Sequence, residues 1–245
     1  MQLIEKAVEL RDSQILNIES YQSIVIRRRI MMAALLMCWV AVGLFTAALA
    51  TPNWAYIDFQ NTDVHNVNVQ LGVWGEWKTV SNWSHTHKEW VPHFPSPPEN
   101  ILRLANTDLK HFYRVQAAFG VIGMFILLAN NLLAIYTFYH HRYVYKRLCA
   151  FLYLVVAGCI LVTIEVLTRS VDEWNTQVSY AAQHGQFDYD QHLTIGFSTR
   201  LAQSVIVICG LAFLAFLFGS HKQKGEHAAT ADLEIEDRPI HIGRE

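Results

Sequence analysis

Cysteine is missing from the places where a cross-linked ectodomain would need it. The chain has four, Cys38, Cys149, Cys159 and Cys209, and all fall inside long apolar runs or at their edge. No disulfide is therefore available to the polar loops. A charge of one sign is missing too: the formal net charge is −2, which gives no attraction to nucleic acid. There is no low-complexity tract and no internal repeat. No phosphate loop, serine elbow or HExxH motif occurs, so no cofactor and no catalytic constellation is expected. Proline is sparse, and four of the six, Pro92, Pro95, Pro97 and Pro98, crowd one stretch, excluding helix or central strand there.

What the chain has instead is apolar length. Four runs, 30–50, 115–139, 148–167 and 201–218, each approach the roughly 20 residues that a helix needs to cross a bilayer core. None carries Lys or Arg in its interior. In hydrocarbon a backbone must satisfy its own polar groups, so each run is expected to be helical. The first follows about 29 polar and amphipathic residues, long for a signal n-region. Although Ala48-Leu49-Ala50 resembles a cleavage site, the run reads as a retained anchor.

Basic residues set the orientation. Arg27, Arg28 and Arg29 precede the first span; Arg142, Lys146 and Arg147 fill the turn between the second and third; Lys222 and Lys224 follow the fourth. The positive-inside rule makes these segments cytoplasmic, with both termini inside; the plasma membrane is the expected location. Loops 51–114 and 168–200 then lie outside. The sequon Asn82-Trp83-Ser84 falls in the first of them, which makes Asn82 a glycosylation candidate.

Three segments complete the organisation: a cytoplasmic segment 1–29, a four-span domain 30–220, and a tail 221–245 too polar to pack. In the first, Ile4, Val8, Arg11, Ile15 and Ile18 recur at helical spacing, predicting an amphipathic helix that ends near the three arginines. In loop 51–114, Val67, Val69, Leu71 and Val73 alternate with Asn66, Asn68, Gln70 and Gly72, which predicts a strand with one apolar face. Trp54, Tyr56 and Asp58 are expected to share one side of an earlier strand, and a short helix to begin near Asn100. Small residues in the spans, among them Ala34, Gly43, Ala118, Gly120 and Gly158, suit a compact four-helix bundle.

Thr51-Pro52-Asn53-Trp54 directly after the first span, then Leu71-Gly72-Val73-Trp74, and Arg114-Val115-Gln116-Ala117-Ala118 at the second span resemble the claudin superfamily. That superfamily includes peripheral myelin and epithelial membrane proteins and the calcium-channel γ subunits. The resemblance implies a membrane all-α four-helix bundle with a small extracellular antiparallel β-sheet. It marks Trp54, Leu71, Gly72, Trp74 and Arg114 as motif positions, with Trp54 and Trp74 pinning the sheet. The family's paired cysteines would fall near Trp77 and near Thr86, His87 or Lys88; both are absent here, as in a divergent member similar to invertebrate claudin-like proteins. Many members end in an apolar residue that docks in a PDZ groove; Glu245 does not fit that pocket.

The remaining polar residues divide into three sets. Glu165 lies in the outer part of the third span, with Arg169 one turn away and Arg114 and Arg200 as rival partners. Asn130 and Asn131 in the second span are placed for interhelical hydrogen bonds. His85 and His87, with His93 nearby, form the nearest approach to a metal site, and a wet histidine-bearing loop is the simpler account. The expected function is non-enzymatic, in cell–cell contact, adhesion or junction organisation. An auxiliary subunit that regulates a channel or receptor is the alternative. Partners are then membrane lipid and other tetraspan or channel proteins.

Overall fold

In the computed structural model the described residues are 2–60, 66–81, 85–94, 110–139, 143–183 and 192–220. They form four helices, α1 (Gln2–Ala50), α2 (Lys110–Tyr139), α3 (Tyr143–Gln183) and α4 (Phe197–Gly219). Five strands accompany them: β1 (Ala55–Gln60), β2 (Asn66–Leu71), β3 (Gly75–Ser81), β4 (Thr86–Pro92) and β5 (His192–Ile195). Each helix contains a stretch apolar and long enough to span a membrane: Val25–Ala50, His111–Tyr139, Val144–Glu173 and Phe197–Gly219. The four-helix, small-sheet class expected from the sequence is the class observed, and the chain is a multi-pass membrane protein.

The helix ends follow local chemistry. α1 does not stop near Arg27–Arg29 as the sequence reading expected; it runs on through them. Arginine is a good helix former, and no Gly or Pro interrupts 2–42. α1 ends where Thr51 precedes Pro52, a residue pair that disfavours helical backbone. α3 likewise overruns its apolar run to Gln183, two residues short of Gly185. The start of helix expected near Asn100, and the tail after Ser220, lie outside the described residues.

Two compact units make up the chain. The first contains 1–39, 127–154 and 208–245. Its core takes Met31, Leu35 and Cys38 from α1, Leu127 and Ala134 from α2, Cys149 and Tyr153 from α3, and Cys209 and Phe216 from α4. The three-and-four spacing on each helix makes this one buried stripe per helix. Leu36, Leu132, Phe151, Leu211 and Phe218 point away from this core and are exposed. A water-soluble protein would not leave so many large apolar side chains outside; a lipid-facing surface requires them.

The second unit contains 40–126 and 155–207. Here Gly120 and Gly123 let helices approach closely. A Cβ on Gly120 would stand 2.9 Å from Leu49 Cδ2, and one on Gly123 would stand 3.2 Å from Cys159 Cβ. The antiparallel sheet belongs to this unit, in the order β4-β3-β2-β1-β5. Register fixes its two faces, because directly opposed residues share a side. Ala55 opposes Leu71 and Ile57 opposes Val69 on the buried face. On the second face Tyr56 opposes Gln70, Gln70 opposes Trp77, and Trp77 opposes Trp90. The alternation expected for β2 is present, with Val67, Val69 and Leu71 buried. Pro92 closes β4, an edge strand, where its missing N–H costs no ladder bond.

Candidate functional site

Trp54, Leu71 and Gly72 meet at the junction between α1, the sheet and the start of α4. Trp54 is fully buried. Its indole Nε1 donates to the Ala48 carbonyl at 2.8 Å, satisfying one of the carbonyls that a helix end leaves unpaired. Its backbone N–H donates to Leu71 O at 2.9 Å, which ties the entry of β1 to the end of β2. Its own carbonyl accepts from Gly196 N at 2.8 Å and from Thr199 Oγ1 at 2.7 Å. Next to it, Asn53 O accepts from Ser198 N at 2.9 Å, an N–H of the first turn of α4. The Thr51 and Ser198 hydroxyls complete the clasp at 2.6 Å. Thus Trp54 stands before β1 and faces inward, whereas Tyr56 and Asp58 lie on the opposite side of the sheet. The expectation that the three share a face is corrected: the bonds to Leu71, Ala48 and α4 turn the chain at Trp54 before the strand alternation begins.

Leu71 and Gly72 close β2. Gly72 N donates to Gly75 O at 3.0 Å across the turn, and a Cβ at Gly72 would stand 2.7 Å from Pro52 Cα. Only glycine permits this close approach. Trp74 sits at the tip of that turn and is 42% exposed, so it does not pin the sheet as Trp54 does. The apolar core position of the turn is taken by Val73, which is 1% exposed. Gly72 abuts Pro52, directly beyond the spanning stretch that ends at Ala50. Arg114 is exposed on α2.

Of the positions where the resemblance would place cysteines, Trp77 and Lys88 are in contact, and Trp90 packs beside them. Trp77 opposes Trp90, with ring centroids 5.1 Å apart, and the Lys88 ammonium stands 4.8 Å over the Trp77 ring. Gly75 provides the seat, since a Cβ there would run into the Trp90 ring. An aromatic pair contributes about 0.5–1.5 kcal/mol beyond area burial. An exposed cation–π contact adds about 0.5–1 kcal/mol. Together they approach the lower end of the roughly 2–4 kcal/mol typical of a disulfide.

His93 is buried away from His85 and His87, which are exposed at the start of β4. Its ring stacks on Tyr113 of α2 at 3.7 Å, Nδ1 meets Val73 O at 3.2 Å, and Nε2 faces Glu76 at 3.7 Å. Among the described residues no group of three His, Cys, Asp or Glu is placed to hold a metal. The stack joins the end of β4 to the start of α2, a role that sequence spacing does not reveal.

Glu165 pairs with Arg169, Nε to Oε1 3.1 Å, with both side chains more than half exposed. Such a pair contributes only about 0–1 kcal/mol in water. Asn131 is a hub in the first unit: its amide donates to Cys38 O at 3.2 Å and its oxygen accepts from the Tyr153 hydroxyl at 2.9 Å, linking α1, α2 and α3. Asn130 donates to Cys149 O at 3.1 Å. Bonds of this kind contribute about 0.6–2 kcal/mol within a bilayer. Gln116, which the sequence reading passed over as a polar role, is 1% exposed, and its amide makes no hydrogen bond among the described residues. Asn82 and Trp83 lie outside the described residues.

Four spanning helices with a sheet clasped to the first and fourth by a buried tryptophan define a tetraspan membrane protein. The family model described as PMP-22/EMP/MP20/Claudin tight junction matches residues 39–218, and the chain belongs to that family. Among curated proteins, none matches it.

Proposed function

We propose that the chain acts without catalysis as an adhesive or junction-organising tetraspan, with both termini cytoplasmic and the sheet outside the cell. The observation that carries this reading is the aromatic surface around the β2–β3 turn and β4. Trp74, Trp90 and Phe94 are 42%, 37% and 40% exposed, and the His93 N–H to Trp74 O bond holds the turn against the end of β4. Rigid aromatic rings bury large area for little lost rotamer freedom, which makes them efficient interface anchors. β4 is an edge strand beside them. Its polar side chains blunt indiscriminate pairing, leaving the rings as the adhesive element.

The orientation is supported by the clustering of Arg27–Arg29, Arg142, Lys146 and Arg147 on one side of the spans. It predicts glycosylation at Asn82. The Asn82→Gln chain should migrate faster than the parent, and glycosidase should erase the difference. A terminal tag reached by antibody on intact cells would reverse the assignment.

Adhesion is tested by expressing the full chain in cells that lack such contacts and measuring enrichment where two expressing cells meet. Trp74→Ser with Phe94→Ser should lower that enrichment about thirtyfold at unchanged surface level, each exposed ring contributing about 1 kcal/mol. A diffuse parent chain that leaves adhesion and paracellular conductance unchanged, yet alters the gating of a coexpressed channel, would replace this reading with the auxiliary-subunit one.

A further inference from the structure

We propose that the first unit holds an anionic phospholipid in a cavity between α1 and α4. The cavity has a volume of about 710 Å³. Its walls are apolar, with Leu211 and Phe218 from α4, and it gains depth where Ala34 of α1 and Ala215 of α4 carry only methyl groups. Arg27 on α1 and Arg147 on α3 line the same space. Arg147 Nε donates to the buried Ser220 hydroxyl at 3.3 Å, which holds one edge of the guanidinium, whose Nη groups are further donors. Gly219 allows α4 to close against α1, since a Cβ there would run into the Met31 thioether.

The chemistry of the walls selects the occupant. The apolar wall lies within the membrane-spanning stretches Val25–Ala50 and Phe197–Gly219, so water gains nothing there and an acyl chain does. The two arginines contribute positive charge and planar donors matched to phosphate oxygens. A basic pocket between spanning helices is the arrangement that retains anionic lipid headgroups. A peptide would leave its backbone groups unpaired against these walls. A free phosphate would use only the arginines and leave the groove uncovered. The surface charge elsewhere does not explain the site: Arg28 and Arg29 are exposed and do not line it.

The test uses the full chain, purified in detergent and exchanged into bilayer discs of phosphatidylcholine with a one-fifth share of phosphatidylserine. Lipid retained after mild re-extraction is counted by native mass spectrometry. The parent chain should retain phosphatidylserine over phosphatidylcholine. Arg27→Gln with Arg147→Gln should lower that preference by roughly fivefold per arginine, following the contribution of a basic residue near an anionic leaflet. Arg28→Gln with Arg29→Gln removes the same charge outside the cavity and should leave the preference intact. Ala34→Trp, which fills the groove, should lower retention of both lipids, while millimolar inorganic phosphate should not displace the lipid. Equal retention of the two lipids by the parent chain, or equal loss in both arginine pairs, overturns the proposal. Displacement by phosphate would reassign the site to a free anion and overturn it too. Both arginine pairs are exposed or half-buried, so their helical circular dichroism should match the parent and keep the comparison valid.

Discussion

Trp54→Ala is expected to unfold the chain and, under the proposed location, to clear most of it from the cell surface. The ring is fully buried, and truncating such a residue costs about 3–5 kcal/mol. The change also leaves the Ala48 carbonyl without the indole donor, which adds about 1–3 kcal/mol where that group stays buried. Against a total of roughly 5–15 kcal/mol for a typical protein, the loss is enough to send the chain to degradation. Trp54→Phe separates the two parts, since it keeps most of the ring and loses only the hydrogen bond; its surface level should fall between the parent and the alanine variant. Trp74→Ala is the contrast, because its ring is exposed and its loss should leave folding near normal. Surface biotinylation and thermal melts in detergent measure all three. Equal surface levels for the two alanine variants would remove the distinction between clasp and rim.

The second large effect is expected at Gly196. A Cβ there would run into the Asn53 carbonyl, which is backbone and has no rotamer to escape into. Relieving the overlap means moving the start of α4 from the α1–β1 junction. That weakens the bonds from Gly196 N to Trp54 O and from Ser198 N to Asn53 O. Overpacking alone costs about 1–3 kcal/mol, and the two hydrogen bonds add about 0.5–1.5 kcal/mol each. Gly43 and Gly210 provide the internal control. They lie within helices, and nothing stands within 4 Å of a Cβ built on either. Alanine at those positions should raise stability by about 0.5–1 kcal/mol through helix propensity and a less free unfolded chain. Melting temperature in one detergent decides the matter: Gly196→Ala should melt well below the parent, and Gly43→Ala at or above it.

The parts of this fold that could be read in advance are those encoded by local pattern. Four apolar runs give the four spanning helices, and the alternation from Val67 to Leu71 gives β2, because burial on one face leaves a periodic trace. The Asn131 hydrogen bonds follow from one polar amide in an apolar run. What could not be read depends on distant partners. β5 is only four residues, and its pairing with β1 joins segments far apart in the chain. The His93–Tyr113 stack has the same character.

Trp74 illustrates the limit most clearly. Both it and Trp54 are tryptophans close to glycine or proline in a short motif. One becomes a fully buried ring and the other a rim residue because the Gly72–Gly75 turn directs Val73 inward. The cavity lined by Arg27 and Arg147 is also invisible in sequence, since it needs α1, α3 and α4 together.

All four cysteines are buried in helices and unpaired, and the sheet is held by the Trp54 clasp and the Trp77–Trp90–Lys88 cluster. Assembly of that sheet therefore does not wait on thiol oxidation or on the isomerases that correct mispaired cysteines. Under the proposed topology, the sheet offers extracellular reductants no cross-link to open.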